Sequence, residues 1–459
     1  MKQGDEIILE IIDLAEKGRG VGRTAEGQVV FVRDTLPGDK VIARLRKKRR
    51  RHLEAELVEI TTPSPHRVES ECSYSNHCGG CVVRELKYEQ QLILKEKMVR
   101  DAFERLGGFH DLEIAPVVAA PQLDYYRNKM EFSFSDQKWV EEWDGQPTGF
   151  GLGLHLPGIF SKVLDLESCR MQSELSTQIL NCVRDEVTRA GSTVYNFKTH
   201  EGLYRYLMIR EGKQTGEVMV NIVTAESKHP EVLELASRLQ REYPAITTIV
   251  NNINRSWSSV STGEEEHILH GSGVIHDKIG KCVFEVSANS FFQTNTLQAE
   301  VLYKLAQQQA GLKGDEVLYD LFCGAGTITI YLADAISEGY GFEIVPDAVR
   351  NARRNMEINE VENLHFIEGD LKKTVLEGKR PRPDVVVLDP PRNGVQRDVL
   401  SWLAELSPQR IVYVSCNPAT LARDCRLLAD EGYLPRRVLP VDMFPHTLHI
   451  ESVTLLEKK

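Results

Sequence analysis

The sequence predicts an α/β protein in three parts: a doubly wound, mainly parallel sheet at the carboxyl end, an α+β centre and a small amino-terminal β-barrel. Three observations carry this expectation. Over roughly the last 150 residues, apolar strands alternate with amphipathic helices at the interval of strand-helix-strand units. In the centre, strands and helices mix without that regularity. At the start, short Val/Ile/Leu runs are broken by glycine and Pro-Gly turns. A chain of 459 residues also fits about three domains at ~150 residues each. The expected boundaries are 1–62, 68–280 and 285–459.

In chain order, "EIILEIIDL", "VVFVRD", "LPGDKVIARLR" and "LEAELVEI" are barrel strands of the oligonucleotide-binding (OB-like) kind, and "TTPSPHR" is a linker whose prolines disfavour helix. "ECSYSNHCGGC" follows, with cysteines at C-x5-C-x2-C spacing. Next, "ELKYEQQLILKEKMVRDAFERLGG" has helical periodicity and a Gly-Gly stop. The centre holds strands "NKMEFSFS", "GEVMVNIV" and "AITTIVNNIN" and helices "LSTQILNCVRDEVTRA" and "PEVLELASRLQREY". In "YYRNKMEFSF", period two puts Arg127 and Lys129 on one face, where they meet RNA phosphates or solvate an edge. The segment "SFFQTNTLQAEVLYKLAQQQAGL" reads as a helix leading into the alternating domain.

No apolar run reaches the ~18 residues of a membrane span, and "MKQGDEIILEII" lacks the features of a signal peptide. A cytoplasmic protein with no membrane partner is expected. Nine cysteines in such a chain argue against a disulfide scaffold and for reduced thiols, some of them ligands or nucleophiles. The net charge of -11 speaks against a polyanion partner, but "RLRKKRRRH" places seven Lys/Arg in eight positions. Arg46, Lys47, Lys48 and Arg49 at its centre are candidate nucleic-acid contacts, since adjacent like charges repel unless a polyanion lies opposite. A solvated hairpin tip is the plainer alternative.

Ligands of an open α/β sheet bind beyond the carboxyl ends of its strands. There "DLFCGAG" offers a glycine turn with Asp320, and the next strand ends in Glu343, suited to ribose hydroxyls. Asp370 follows "FIEG", "DPPRNG" carries Asp389 and Arg392, and "VSCNP" carries Cys416. A strand-end cysteine is ordinarily a small buried hydrophobe, but Asn417 and Pro418 open this one beside the ligand edge. Glu451 lies among apolar neighbours, a costly place for a carboxylate unless it works or is paired. Neither a full G-x-G-x-x-G nor a P-loop is present, so the ligand carries a ribose without a pyrophosphate, as S-adenosylmethionine does.

"FFQTN", "DLFCGAG", "GFEIV", "DPPRNG", "VSCNP" and "HIESV", in this order, resemble the RNA uracil-C5 methyltransferases, and the barrel resembles their TRAM domain. The resemblance spans nearly the whole chain. It implies a Rossmann-like methyltransferase domain, Cys416 as nucleophile, Glu451 as general base, and Gln293, Phe322, Glu343 and Asp389 as S-adenosylmethionine contacts, with Asp370 a further candidate. Such chemistry requires a thiolate to add to C6 so that C5 can attack the methyl group, and a base to remove the C5 proton afterwards. The thiol needs a donor such as Arg392 to lower its pKa. The target base would be flipped out or lie in a loop.

The resemblance also bears on substrate and metal. Transfer-RNA members of the family are expected to lack both a TRAM domain and the cysteine cluster, which favours 23S ribosomal RNA as the partner of a monomeric enzyme, with tRNA the alternative. A non-catalytic, metal-stabilised RNA-binding protein would need degraded positions at Cys416, Glu451 and Asp389, and all three are intact. Cys72, Cys78 and Cys81 need a fourth ligand; Cys169 is the candidate, because Cys182, Cys282, Cys323 and Cys425 read as core. Zinc usually takes two C-x2-C pairs, whereas three clustered cysteines and a distant fourth resemble an iron-sulfur site. The family's ribosomal members imply a [4Fe-4S] cluster here.

Overall fold

The computed structural model describes residues 2–196, 198–258, 260–371, 374 and 380–459. Strands β1 (Glu6–Ala15), β2 (Arg19–Arg23), β3 (Val29–Val32), β4 (Lys40–Lys48) and β5 (His52–Thr62) close into a barrel in the order β1-β2-β3-β5-β4. Alternation turns Leu9, Ile11, Val30, Val32, Val41, Ala43, Leu45 and Leu53 inward, which fixes register because a one-residue slip would expose the whole set. The basic run lies at the end of β4 and its turn into β5. Arg67, just past the barrel, pairs with Asp39 at 2.7 Å and Glu85 at 2.7 Å and so ties the barrel to the chain that follows the cysteines.

Helix α1 (Tyr88–Ala102) ends through a π turn, and Gly108 at φ +69° stops it. Strand β6 (Glu113–Ile114) comes next, then β7 (Lys129–Ser135), β8 (Gly151–Leu156), β9 (Ile159–Asp165), α2 (Glu174–Ala190), β10 (Tyr204–Glu211), β11 (Val218–Thr224), α3 (Pro230–Glu242), β12 (Ile246–Ile253) and β13 (Glu265–His270). All but β6 among these strands form one seven-stranded sheet, β13-β12-β11-β10-β7-β8-β9. Helices α2 and α3 bury Ile179, Val183, Leu235 and Leu239 against its core.

The hairpin β14 (Val274–Ile279) and β15 (Cys282–Ser287) leads to α4 (Thr296–Ala310), β16 (Val317–Asp320), α5 (Thr327–Leu332), β17 (Glu338–Glu343), α6 (Pro346–Ile358), β18 (Leu364–Glu368), β19 (Val385–Leu388), α7 (Arg397–Leu406), β20 (Arg410–Ser415), α8 (Pro418–Asp430), β21 (Tyr433–Val441) and β22 (Glu451–Lys458). The last sheet runs β18-β17-β16-β19-β20-β22-β21-β6. Its first five strands are parallel, and β22 enters antiparallel to β20. Among the described residues no helix is long and apolar enough to cross a membrane.

Three expectations about the chain's organisation change. Residues 113–114, expected in the central domain and not as a strand, form β6, which pairs with β21 at the edge of the last sheet, and α1 packs beside it. The hairpin β14–β15 straddles the expected boundary and buries Ile275, Ile279 and Phe284 in the carboxyl-terminal core. The segment "SFFQTN" is loop rather than helix, because the Asn295 side chain caps α4 by accepting from Gln298 N at 3.2 Å.

Candidate active site

The reversal of strand order between β16 and β19 opens a crevice at the carboxyl edge of the parallel strands. Asp320, Glu343, Asp370, Asp389 and Cys416 all stand at or just beyond strand ends on that edge. Gly324 and Gly326, at φ +52° and +77°, turn the chain from β16 into α5, and a Cβ on Gly324 would meet nothing within 4 Å, so the turn faces open space. Glu343 accepts from Gly324 N at 3.2 Å and from Ile344 and Val345 N at 2.8 Å each, which ties the second strand end to the glycine turn. Asp370 is exposed at the outer end of the edge.

Buried Asp320 accepts from Thr329 Oγ1 at 2.7 Å, yet burial pushes its carboxyl up to about 6. Asp389 is pushed up to about 7 by burial first and then by Asp320. Glu451, buried at the start of β22, is raised well above the ordinary carboxylate range by burial and then by Asp389. These three carboxyls therefore share one electrostatic environment, poor in compensating charge. A cation placed among them would draw protons off all three.

Cys416 leaves β20 at its last hydrogen-bonded step. Ser415 pairs with Ser452, so the antiparallel register sets Cys416 opposite Glu451. The thiol is half-buried and pushed up to about 11 by burial, Glu451 and Asp389, while a hydrogen bond from Arg392 opposes the shift. Arg392 is held at both ends. Its carbonyl accepts from Asn417 Nδ2 at 3.0 Å, and its Nη2 donates to His449 Nδ1 at 2.6 Å. His449 is depressed to about 4 by burial and then by Arg392, so the ring is neutral and available as acceptor. The sequence reading missed His449; its only signal was its place two residues before Glu451.

Phe322 follows β16 on this edge, whereas Gln293 lies in the loop between β15 and α4. Gln293 is buried in the loop before α4, where its carbonyl accepts from Asn128 Nδ2 at 2.7 Å, and Phe322 donates its amide to Asp320 Oδ1 at 3.4 Å. Asn295 Nδ2 donates to Met443 O at 3.0 Å, so this loop is tied to the segment preceding Glu451.

Cys72, Cys78, Cys81 and Cys169 line one cavity of about 310 Å³, together with Arg84, Arg127, Lys129 and Arg170. All four cysteines are free, and Cys78 and Cys81 are pushed up to about 11 and about 12 by burial first and then by neighbouring thiols. Among the described residues no group of three or more His, Cys, Asp or Glu is arranged to hold a metal ion. The cavity nonetheless presents buried N–H groups, Arg84 Nη1 and Arg127 Nε, without a partner among the described residues. Arg127 and Lys129 share a face as expected, but it is the face toward this cavity, with Lys129 paired to Glu131.

The basic hairpin is partly neutralised within the barrel. Arg46 pairs with Glu56 at 2.5 Å and Arg49 with Glu54 at 3.3 Å, whereas Lys47 and Lys48 are exposed.

Comparison with known proteins adds a family. The model described as tRNA (uracil-5-)-methyltransferase matches residues 214–459, and the TRAM domain model matches residues 2–58. An uncharacterized RNA methyltransferase of Chlorobaculum tepidum is 42% identical, covering 100% of this chain and 97% of its own. One from Porphyromonas gingivalis is 39% identical, covering 98% and 99%. The solved Pyrococcus abyssi tRNA (uracil-54, C5)-methyltransferase in complex with S-adenosyl-L-homocysteine superposes with a TM-score of 0.77 at 30% identity, over 98% of this chain and 100% of its own. That last coverage removes a discriminator: a protein named for a tRNA substrate matches the barrel and cysteine regions that were expected to set ribosomal enzymes apart.

Proposed function

The chain belongs to the tRNA (uracil-5-)-methyltransferase family of S-adenosylmethionine-dependent RNA methyltransferases, and on that premise we propose that it methylates C5 of a uridine through Cys416 and Glu451. The observation that carries this is the register of β20 against β22, which faces the thiol with the carboxyl, together with the Arg392 contact on the thiol. S-adenosylmethionine supplies a methyl group on a sulfonium cation. Asp389 and Asp320, both raised by burial, would gain from that cation, while Glu343, Phe322 and Gln293 would hold the adenosine portion, with Asp370 at the rim.

Arg392 stabilises the Cys416 thiolate, which adds to C6 of the flipped base and pushes the electron pair to C5. C5 then takes the methyl group, and S-adenosylhomocysteine leaves. Glu451 removes the C5 proton; a carboxyl raised so far is a strong base once ionised. As the C5–C6 double bond re-forms, the C6–S bond breaks and the thiolate returns. Two variants test these roles. C416A is expected to abolish methylation while still binding RNA, and E451Q to accumulate a methylated RNA–protein adduct that survives denaturing electrophoresis. Methylation by C416A would sink the mechanism.

For the substrate, 23S ribosomal RNA is the first reading, and the exposed Lys47 and Lys48 on the barrel fit an RNA backbone of either kind. The Pyrococcus abyssi match supports tRNA as the second. Mapping 5-methyluridine in both RNAs from a strain lacking the protein separates them. In the cavity, Cys72, Cys78, Cys81 and Cys169 would hold a [4Fe-4S] cluster, and the unpartnered N–H groups of Arg84 and Arg127 could supply hydrogen bonds to it. Zinc fits less well. Its usual signature is two C-x2-C pairs, and this chain has one such pair, Cys78 and Cys81, with Cys72 and Cys169 apart from it.

A further inference from the structure

The central domain carries an aromatic site that methyl transfer does not use. Beyond β12, the turn from Asn254 to Ser258 is fastened by Arg205, whose fully buried guanidinium donates to the carbonyls of Asn254 (2.6 Å), Ser256 (2.8 Å) and Ser258 (2.8 Å). The same guanidinium lies 4.1 Å from the Tyr195 ring centroid. The Tyr195 hydroxyl is 2.9 Å from His200 Nδ1, and His200, held at φ +61°, stacks on Trp257 at 4.8 Å and 11°. So much internal fastening leaves Trp257 77% exposed. A built turn that presents a bare indole is a surface kept for a partner.

Beside the indole is a cavity of about 380 Å³ lined by Tyr195, His200, Glu201, Glu226, Arg255 and Trp257. Among the described residues neither Glu201 nor Glu226 has a side-chain hydrogen bond or ion pair. The turn is linked to the loop that precedes α4. Asn289, in the loop that carries Gln293, donates to Asn252 Oδ1 at 3.2 Å, two residues before this turn begins.

We propose that Trp257 and His200 are a stacking platform for an unpaired guanine of the RNA substrate, with Glu201 or Glu226 accepting from its N1–H and 2-amino group. Stacking tolerates any base, so the carboxylates supply the choice. Guanine alone presents two adjacent donors to match the two oxygens of a carboxylate, whereas adenine and uracil present a donor beside an acceptor. The proposal rests on the RNA-methylating function above and names a second contact for that RNA.

The test is binding of the pentanucleotides UUGUU, UUAUU and UUUUU, read by tryptophan fluorescence and by filter retention and so independent of methylation. UUGUU is expected to bind tightest. W257A should weaken UUGUU binding about 5- to 150-fold, the range for loss of one base stack, while W257F retains most of it. E201Q/E226Q, on exposed side chains that bear no fold, should erase the preference for UUGUU over UUAUU. Equal binding of the three oligonucleotides by the parent, or unchanged UUGUU affinity in W257A, would overturn the site. Guanine-selective binding by a protein that methylates no uridine would support it and sink the methyl-transfer function instead.

Discussion

Removing the Arg392 side chain tests the reaction centre where its chemistry is most demanding. Cys416 is pushed up to about 11 in the free protein, so near pH 8 only about one thiol in a thousand is ionised. Arg392 is what opposes that shift. A hydrogen bond to a charged group is worth about 1.5–3 kcal/mol, and because Arg392 is exposed, solvent screening puts its contribution near the lower figure. R392A should therefore raise the thiol by about one pH unit and lower kcat/KM about tenfold at fixed pH. Iodoacetamide alkylation of Cys416 as a function of pH, followed by mass on the peptide that contains it, reads the thiolate directly. Because His449 Nδ1 accepts from Arg392 at 2.6 Å, H449A should show a smaller shift in the same direction, and H449N, whose side-chain oxygen also accepts, should recover part of it. An alkylation profile in R392A that overlays the parent would refute the role.

Other outcomes follow from the same geometry. Asp320 and Asp389 titrate at about 6 and about 7 in the fold, against ~3.9 unfolded, so from about pH 4 to 7 the folded state keeps protons that the unfolded state has released. Stability should therefore fall as pH rises through that window, and D389N should flatten the thermal-melting curve; parallel curves for parent and variant would count against it. K95M strands the buried Asp442 carboxylate and should cost about 3–5 kcal/mol in urea unfolding, with D442N/K95M recovering much of the loss. Protein purified without oxygen should be brown with a broad visible absorbance, and C81A should lose it; a colourless parent carrying stoichiometric zinc would reject the cluster.

The strand ends were legible because alternating strands and helices fix which edge carries ligands, and Asp320, Glu343, Asp389 and Cys416 all stand on it. Pattern alone did not join Cys416 to Glu451; that came from resemblance, since antiparallel entry of β22 beside β20 depends on which strands neighbour each other in space. Strand β6 was missed because two residues leave no period to detect. For Arg127 and Lys129, alternation gave the shared face but not its surroundings, as a period of two says nothing about which side meets water. The buried pair of Lys95 and Asp442 was not legible, because its two members lie in segments distant in sequence.

That partnership explains why the cysteine region matters to chemistry at the far end of the chain. The amides of Val82 and Val83, directly after Cys81, both donate to His446 O, at 3.0 and 3.1 Å. His446 N donates to Gln91 Oε1 at 2.9 Å, and Lys95 holds both Asp442 (2.6 Å) and the carbonyl of Phe444 (3.0 Å). His446 has φ +66°, a conformation a non-glycine residue keeps only when its surroundings impose it. Those surroundings are α1 and the cysteine loop. Three residues later His449 braces Arg392, and Glu451 opens β22. A cysteine loop that loses its shape therefore releases the restraint on His446 first and the alignment of thiol, guanidinium and carboxyl next. The C81A variant should accordingly lose methylation in proportion to disorder at residues 442–450, read by hydrogen exchange of the amides there, while Cys416, Arg392 and Glu451 remain chemically intact.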